Sequence, residues 1–338
     1  MEKVFGRARR WQRPAAFALG CLLGAGLLAA LAEPYLRLFP PRDFQPYLGE
    51  AAPLEGPFAP DQDFGVRYRS WGAFRAEYPQ PLPGPTAGPP LWAMFGNSFV
   101  QAPGMLADTA RARVPGRRVF NLGRNELLYV RFAQARLLLE HGLRPERLFI
   151  ALMPLDTAPL AEHSLASLHV TARGALTYRP RLPAGPLGLV VAHSRLALTG
   201  WVRTGRHQSL PDFNHLQLQK GIPEPLLADL RHLFGQLALT ARAHGVPVTV
   251  LLIPTHEQIT KGGGFGFQDT LTPMLRGLGL GVCDPRAAYL RYPDKRSLFI
   301  PDKHFSDAGN RVLLDELLAH LRREGAGPET LGGGAAAQ

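Results

Sequence analysis

The sequence predicts an α/β fold, a three-layer α/β/α sandwich built around a parallel sheet. From residue 91 onward, short apolar runs of strand length alternate with longer segments that carry apolar residues at helical spacing. The runs are apolar without alternation, which is typical of parallel strands covered by helices on both faces. The chain has 338 residues, of which 46% are hydrophobic and 19% charged, so it can bury a substantial core.

The apolar runs and the segments between them predict the order of the elements. Strands are expected at LWAMF (91–95), RRVFNL (117–122), RLFIALM (147–153), PVTVLLI (247–253) and LGVCD (280–284). Helices are expected at 125–142, 223–244, 268–278 and 305–323. Residues 157–222 interrupt the alternation, which indicates an insertion that serves as a lid or accessory segment.

The first 32 residues predict a membrane anchor or an export signal. Residues 1–14 contain five basic side chains and one acid, and 15–32 contain no charge. Eighteen apolar residues are near the lower limit for a spanning helix, and the basic flank predicts a cytoplasmic N-terminus. Ala30-Leu31-Ala32 also fits a signal-peptide cleavage site, so a secreted protein stays open. Either reading places the rest of the chain on the exported, extracytoplasmic side.

The segments that flank the domain have a biased composition. Residues 33–90 are rich in proline and predict a stalk, with a short hairpin at 61–74 and a rigid connector at 78–90. The folded domain is expected to span 91–323. Residues 324–338 are rich in Gly and Ala and predict a disordered tail.

Charge and cysteine content narrow the classes of partner. The formal net charge of +11 favours an anionic membrane surface or polysaccharide. Basic runs with interleaved aromatic residues are missing from the body of the sequence, so nucleic acid is not an expected partner. The two cysteines, Cys21 and Cys283, lack paired metal-binding spacing. No metal and no organic cofactor is predicted.

The candidate site residues follow the first four predicted strands or precede the last predicted helix. Ser98 follows the first, Gly123 the second and Asp156 the third, while PTHEQ (254–258) follows the fourth and PDKHFSDAGN (301–310) precedes the last helix. Because the carboxyl ends of parallel strands share one edge, these residues are expected to lie close together.

Ser98 and His304 are the residue types of a nucleophile and its base. A serine nucleophile needs a histidine within hydrogen-bond reach and an acid that orients the histidine, and Asp302 precedes His304 by two residues. The backbone N–H groups of Ser98 and Gly123 are predicted to form an oxyanion hole. The alternative, in which Ser98 is a helix cap and His304 a surface residue, stays open.

The order of these motifs resembles the SGNH (GDSL-like) hydrolase superfamily, and within it the membrane-anchored SGNH-like proteins of alginate and exopolysaccharide O-acetylation. The resemblance is carried by Gly96-Asn97-Ser98-Phe99, NLG (121–123), VLLIPTHEQI (250–259) and PDKHFSDAG (301–309). It implies strand order 2-1-3-4-5 and a serine-dependent O-acetyl esterase or acetyltransferase that acts on cell-surface or secreted polysaccharide. The implied catalytic residues are Ser98, Asp302 and His304, and the implied partner is a membrane protein that supplies the acyl group.

Two positions depart from the family pattern. Asn97 replaces the usual aspartate, and Leu155 replaces the asparagine whose side chain donates to the oxyanion. Asn125 is the candidate replacement donor, and Asn97, Asp156 and His256 are expected around the substrate. Loss of one oxyanion donor lowers the rate by about 10²–10³. A catalytically inactive glycan-binding or assembly subunit therefore stays open as the alternative function.

Overall fold

The computed structural model describes residues 21, 24, 26–38, 57–77, 89–124, 127–162, 164–178, 182–183, 185–203 and 220–325. The predicted basic segment 1–14, half of the apolar segment 15–32, the connector between residues 78 and 88, and the tail beyond residue 325 lie outside these residues.

Nine strands are formed by the described residues. In chain order they are β1 (Phe58–Asp61), β2 (Gly65–Tyr68), β3 (Leu91–Gly96), β4 (Arg118–Gly123), β5 (Arg147–Leu152), β6 (Leu168–Val170), β7 (Leu176–Tyr178), β8 (Val248–Leu252) and β9 (Gly281–Cys283).

Helices alternate with the strands. In chain order they are α1 (Trp71–Glu77), α2 (Ser98–Gln101), α3 (Leu106–Arg113), α4 (Leu128–Glu140), α5 (Pro154–Glu162), α6 (Pro186–His193), α7 (Arg195–Arg203), α8 (Glu224–Ala243), α9 (His256–Thr260), α10 (Gly266–Gly277), α11 (Arg286–Arg291) and α12 (Asp307–Arg323). A further helical stretch covers 26–38, and 3₁₀ turns cover Leu165–Ser167 and Lys295–Leu298.

A five-stranded parallel sheet with the order β4-β3-β5-β8-β9 forms the centre of the domain. This is the 2-1-3-4-5 order expected for the five predicted strands, and the prediction of an α/β fold with a parallel sheet is confirmed. The chain passes from β3 to β4 on one side and then crosses back to β5 on the other side of β3. Open sheets of this kind bind ligands at the carboxyl end of the strands where that reversal occurs.

Two apolar cores lie on the two faces of the sheet. One contains α4, α8 and α10, and the other contains α2, α3 and α12. Successive side chains of β3 contribute to opposite cores, because side chains along a strand alternate between faces. Ala93 and Phe95 pack into the first core, and Trp92 and Met94 into the second. Helices on both faces explain why the strand runs are apolar without alternation.

The hairpin before the sheet differs from the predicted one. Strands β1 and β2 pair between 58 and 68, and α1 occupies residues that the prediction assigned to the hairpin. Val66, Tyr68 and Phe74 are buried in the first core, and Gln134 of α4 donates to the Tyr68 hydroxyl at 3.0 Å. This part of the predicted stalk therefore packs as part of the domain, because its apolar side chains cover α4.

The inserted segment begins later than predicted. Residues 157–162 belong to α5, which starts directly after β5. The insertion then forms the β6–β7 hairpin and the helix pair α6–α7. Phe58 donates a backbone hydrogen bond to Gly174 at 3.2 Å, which joins the two hairpins.

The N-terminal helical stretch contacts the insertion through Glu33. Its carboxylate accepts hydrogen bonds from the Ser194 hydroxyl and from the backbone N–H groups of Arg195 and Leu196, each at 2.9 Å. The helix extends to residue 38, beyond the predicted end of the apolar segment at 32. Within the described part of the chain, no helix has both the length and the hydropathy that are needed to span a membrane.

We expect acid to weaken the contact between residues 26–38 and α7. Partial burial raises the pKa of Glu33, but the N–H groups of Leu196 and Arg195, with Ser194 and Arg37, outweigh it and lower the pKa from 4.5 to about 2. A lowered pKa means that the contribution to stability is complete above pH 4.5 and is lost as the pH falls toward 2. Hydrogen exchange should therefore show protection of the Arg195 and Leu196 amides decreasing over that interval. The Glu33→Gln variant should lack this decrease, and an identical decrease in both proteins would contradict the assignment.

Candidate active site

Ser98 is the first residue of α2 and lies directly beyond the end of β3. A Cβ atom at Gly96 would lie 2.5 Å from Val100 Cγ2, so a glycine lets the chain turn sharply into α2. The side chain of Asn97 caps that helix by accepting the Phe99 N–H at 3.0 Å. These contacts hold Ser98 at the carboxyl edge of the sheet.

His304 is brought to Ser98 by the loop that precedes α12. Phe299 and Phe305 pair across this loop as an antiparallel bridge. The imidazole of His304 packs against the ring of Phe99 with a centroid distance of 4.8 Å. Its Nε2 atom lies 2.7 Å from Ser98 Oγ, so two residues far apart in the sequence make a direct hydrogen bond.

Asp302 contacts the other nitrogen of the same imidazole. Its Oδ1 atom lies 3.1 Å from His304 Nδ1 and also accepts the His304 backbone N–H at 3.1 Å. The backbone N–H and then the imidazole hold the pKa of the Asp302 carboxyl below its ordinary value. Because a carboxylate only accepts, Nδ1 carries the proton and Nε2 faces Ser98 as an acceptor.

Lys303, between the acid and the histidine, has a strained backbone. Its φ of 71° is in the left-handed region, and it is the one non-glycine residue with a positive φ in the described part of the chain. Lys303 Nζ lies 2.7 Å from Glu257 Oε1, and this ammonium group lowers the pKa of the Glu257 carboxyl. The ion pair joins the strained turn to α9.

We expect Lys303→Gly to be more stable than Lys303→Ala by about 1 kcal/mol. Both variants lose the ion pair with Glu257, but glycine adopts a positive φ without a steric cost. Urea unfolding of the two variants measures the difference in free energy of unfolding. Equal stability would show that the turn relaxes to a negative φ once the lysine is removed.

A buried polar network lies behind the turn that carries Ser98. Asp156 accepts from Asn97 Nδ2 at 3.2 Å, from Arg131 Nη2 at 2.8 Å and from the Met153 N–H at 2.8 Å. Arg131 is 2% exposed and Asp156 8%. Asp156 thus orients the side-chain amide of Asn97. Because the oxygen of that amide caps α2, Asp156 and Asn97 together hold Ser98 in position.

A cavity of about 470 Å³ opens beside the Ser98–His304 contact. Six predicted site residues line it, namely Ser98, Asp302, His304, Asn97, Asp156 and His256. Its apolar wall is formed by Phe99, Leu127, Met153, Leu155 and Pro159. Leu155 is 59% exposed at this wall, where an apolar side chain can contact substrate but cannot donate a hydrogen bond.

Gly123 ends β4, and its N–H has a partner within the chain. Its N–H donates to Asn121 Oδ1 at 2.9 Å, and a Cβ atom there would lie 2.7 Å from the Gln101 backbone nitrogen. Gly123 is buried beneath α2 and is not among the residues that line the cavity. Close packing of strand and helix accounts for the glycine, and its role as an oxyanion donor stays a prediction. Asn125, the other proposed donor, lies outside the described residues.

His256 lies at the start of α9 on the cavity wall. Its ring meets Phe299 edge-on with a centroid distance of 5.0 Å, and α9 begins with a capping box between Thr255 and Gln258. Three or more His, Cys, Asp or Glu side chains do not cluster as a metal site anywhere in the described residues.

The structural roles of Arg131 and Lys303 were not predicted from the sequence. Arg131 had a detectable signal, because it is a single charge within the apolar run LYVRFA of a predicted helix. Lys303 had none, since a positive φ and a distant ion pair leave no local pattern.

Known structures resemble the chain only distantly. A lipase/acylhydrolase from Enterococcus faecalis is 13% identical with a TM-score of 0.38, covering 70% of this chain and 96% of that one. TesA is 14% identical with a TM-score of 0.41, covering 69% and 98%. An acetylxylan esterase from Geobacillus stearothermophilus, in the form of a catalytic mutant, is 12% identical with a TM-score of 0.36, covering 70% and 96%. No protein-family model and no curated protein matches the chain, and similarities at this level do not assign a family.

Proposed function

We propose that this protein is a serine-dependent O-acyl esterase or O-acyltransferase that forms an acyl-enzyme on Ser98, with acetyl as the transferred group. The observation that supports the proposal is the 2.7 Å contact between Ser98 Oγ and His304 Nε2, with Asp302 on the second imidazole nitrogen. A helix cap and a surface histidine have no need of this arrangement, whereas a nucleophile, its base and an orienting acid require it.

The first half-reaction forms the acyl-enzyme. His304 Nε2 accepts the hydroxyl proton as Ser98 Oγ attacks the ester carbonyl, and Asp302 stabilises the resulting imidazolium. The tetrahedral intermediate then collapses, and the bond to the leaving alcohol breaks. The proton held by His304 passes to that alcohol, which departs neutral.

The second half-reaction transfers the acyl group. His304 accepts a proton from water or from a sugar hydroxyl as that oxygen attacks the acyl-enzyme, and then returns the proton to Ser98 Oγ. Water as acceptor makes the protein an esterase, and a glycan hydroxyl makes it a transferase. The two activities use the same three side chains.

Fewer hydrogen-bond donors are left to stabilise the oxyanion than in the SGNH family pattern. The Gly123 N–H is occupied by Asn121, and Leu155 replaces the donor asparagine. Of the two predicted backbone donors, Ser98 and Gly123, the N–H of Ser98 lies at the amino end of α2 next to the nucleophile.

The proposed substrate is a cell-surface or secreted polysaccharide, and the proposed location is the exported side of a membrane. The order of SGNH-like motifs along the chain supports the substrate class. The basic residues of 1–14 and the uncharged stretch 15–32 support a membrane-anchored domain, with secretion after cleavage near Ala32 as the alternative. A membrane protein that supplies the acyl group is the proposed partner.

A fluorophosphonate probe tests the nucleophile directly. We expect the full-length protein to be phosphonylated on the peptide that contains Ser98, and a reactive acetyl ester such as p-nitrophenyl acetate to protect it. His304→Ala should lose the labelling, since the hydroxyl then has no base. His244→Ala, which changes a histidine at the end of α8, should label like the wild type. Absence of label on Ser98 in a folded protein would refute the proposal.

A further inference from the structure

Apolar side chains are exposed on α6 and on the neighbouring helical stretch 26–38. Leu187, Leu189 and Val190 of α6 are 54–66% exposed. Leu27, Leu31 and Leu38 recur at intervals of four and seven along 26–38 and are also well exposed. We call these six residues the apolar helix surface. Exposed apolar patches of this kind mark interaction sites in many proteins.

The opposite face of 26–38 is attached to the insertion. Ala29, Ala32, Glu33 and Leu36 are half-buried, at the spacing of one helical face. Glu33 accepts the first N–H groups of α7, and Arg37 donates to the His193 carbonyl at 3.1 Å. The leucines of 26–38 and of α6 therefore belong to one connected group of helices.

The charged residues over most of the sequence of the inserted segment have a single sign. Residues 163–211 contain no Asp or Glu but contain six arginines, namely Arg173, Arg179, Arg181, Arg195, Arg203 and Arg206. Within 163–211, apolar residues thus occur with arginines and without any acid, and the one acid of 26–38, Glu33, is bound to N–H groups of α7. This composition matches the headgroup region of an anionic bilayer, which accepts both kinds of side chain.

We propose that the apolar helix surface lies on the same lipid bilayer that the uncharged segment 15–32 enters, with α6 and α7 in the headgroup region. Residues 26–32 of the helix 26–38 are the last residues of the uncharged segment 15–32, so Leu27 and Leu31 lie at the membrane wherever that segment is inserted. Helix α6 is held against it through α7. An anionic bilayer fits better than a second copy of the chain, because facing copies would oppose arginine with arginine.

This contact determines how the domain is held. A proline-rich stalk alone would leave the domain free to rotate above the membrane, whereas α6–α7 would hold it at a constant height. The inference rests on the proposed membrane location, but it concerns a surface apart from Ser98 and His304 and does not depend on the catalytic proposal.

Quenching by spin-labelled lipid tests the contact in the full-length protein. A Cys21→Ser background leaves Cys283, which is buried and has a pKa raised by that burial to about 12, so it does not label at neutral pH. Leu189→Cys carries an environment-sensitive fluorophore on α6. Leu239→Cys, at a leucine of similar exposure on α8, is the matched control. The proteins are reconstituted in phosphatidylcholine–phosphatidylglycerol vesicles containing doxyl-labelled phosphatidylcholine.

We expect strong quenching at position 189, weak quenching at 239, and a smaller difference when phosphatidylglycerol is omitted. Val190→Cys provides a second site if Leu189→Cys fails to fold. Equal quenching at 189 and 239 in protein that floats with the vesicles overturns the proposal, and a second copy or a protein partner then covers the surface. Protein that does not float with the vesicles overturns it as well.

Discussion

Ser98→Ala is expected to lower hydrolysis of p-nitrophenyl acetate by at least about 10³-fold in kcat, to the level of a protein without a nucleophile. The methyl group cannot form the acyl-enzyme, and His304 Nε2 then faces no hydroxyl. The rate should be measured with the full-length protein in detergent under saturating ester. The fold is expected to be unchanged, because α2 is capped by Asn97 and the Ser98 side chain does not provide that cap.

Two comparisons make this result specific. Ser70→Ala changes a serine that also precedes a helix, where its Oγ accepts the Ala73 N–H at 3.1 Å, and should retain activity. The double variant Ser98→Ala/His304→Ala should be no slower than either single variant, because residues that act as one unit lose their effect together. Additive losses would show that His304 acts independently of Ser98.

Asp156→Asn is expected to reduce the free energy of unfolding by about 3–5 kcal/mol, because it leaves the charge of Arg131 buried without a carboxylate. The guanidinium is 2% exposed, and its Nε and Nη1 atoms have no hydrogen-bond acceptor among the described residues. Urea unfolding measures the loss. The asparagine keeps the shape of the side chain, so cavity formation contributes little.

The double variant Arg131→Met/Asp156→Asn separates charge from packing. Removing both charges should recover a large part of the lost stability, because no ion then stays buried and unpaired. The matched control is Arg231→Met, which breaks an exposed pair with Glu224 at 3.4 Å and should cost no more than about 1 kcal/mol. An Asp156→Asn protein as stable as Arg231→Met would contradict the role assigned to the network.

The strands of the sheet could be predicted because the apolar pattern that identifies each strand lies within that strand. Each parallel strand is buried on both faces and therefore appears as an uninterrupted apolar run, such as LWAMF before Ser98. The carboxyl ends of such strands share one edge, so placing polar residues after each run was enough to predict the neighbourhood of Ser98, Asp302 and His304. Their assignment to catalysis stays a prediction for the experiments above.

Other predictions required information that is not local. NLG (121–123) matched an oxyanion motif, but the position of Gly123 beneath α2 depends on how closely Gln101 approaches it. The pairing of Arg131 with Asp156 joins two helices, and the strained φ of Lys303 is tolerated within a turn that contacts α9. Composition likewise indicated a stalk at 33–90, although Val66 and Tyr68 are part of the core.

The sequence by itself determined the five strands of the central sheet and the longer helices between them, because hydrophobic periodicity is a property of neighbouring residues. It also determined the types of side chain available at the edge of the sheet. Only the tertiary structure decided which of those side chains touch, since a hydrogen bond between Ser98 and His304 joins residues 206 apart. It likewise decided that Glu33, the first charge after an apolar stretch, binds the amino end of α7. Contacts of this kind depend on the packing of whole elements, and packing is decided by the complete chain.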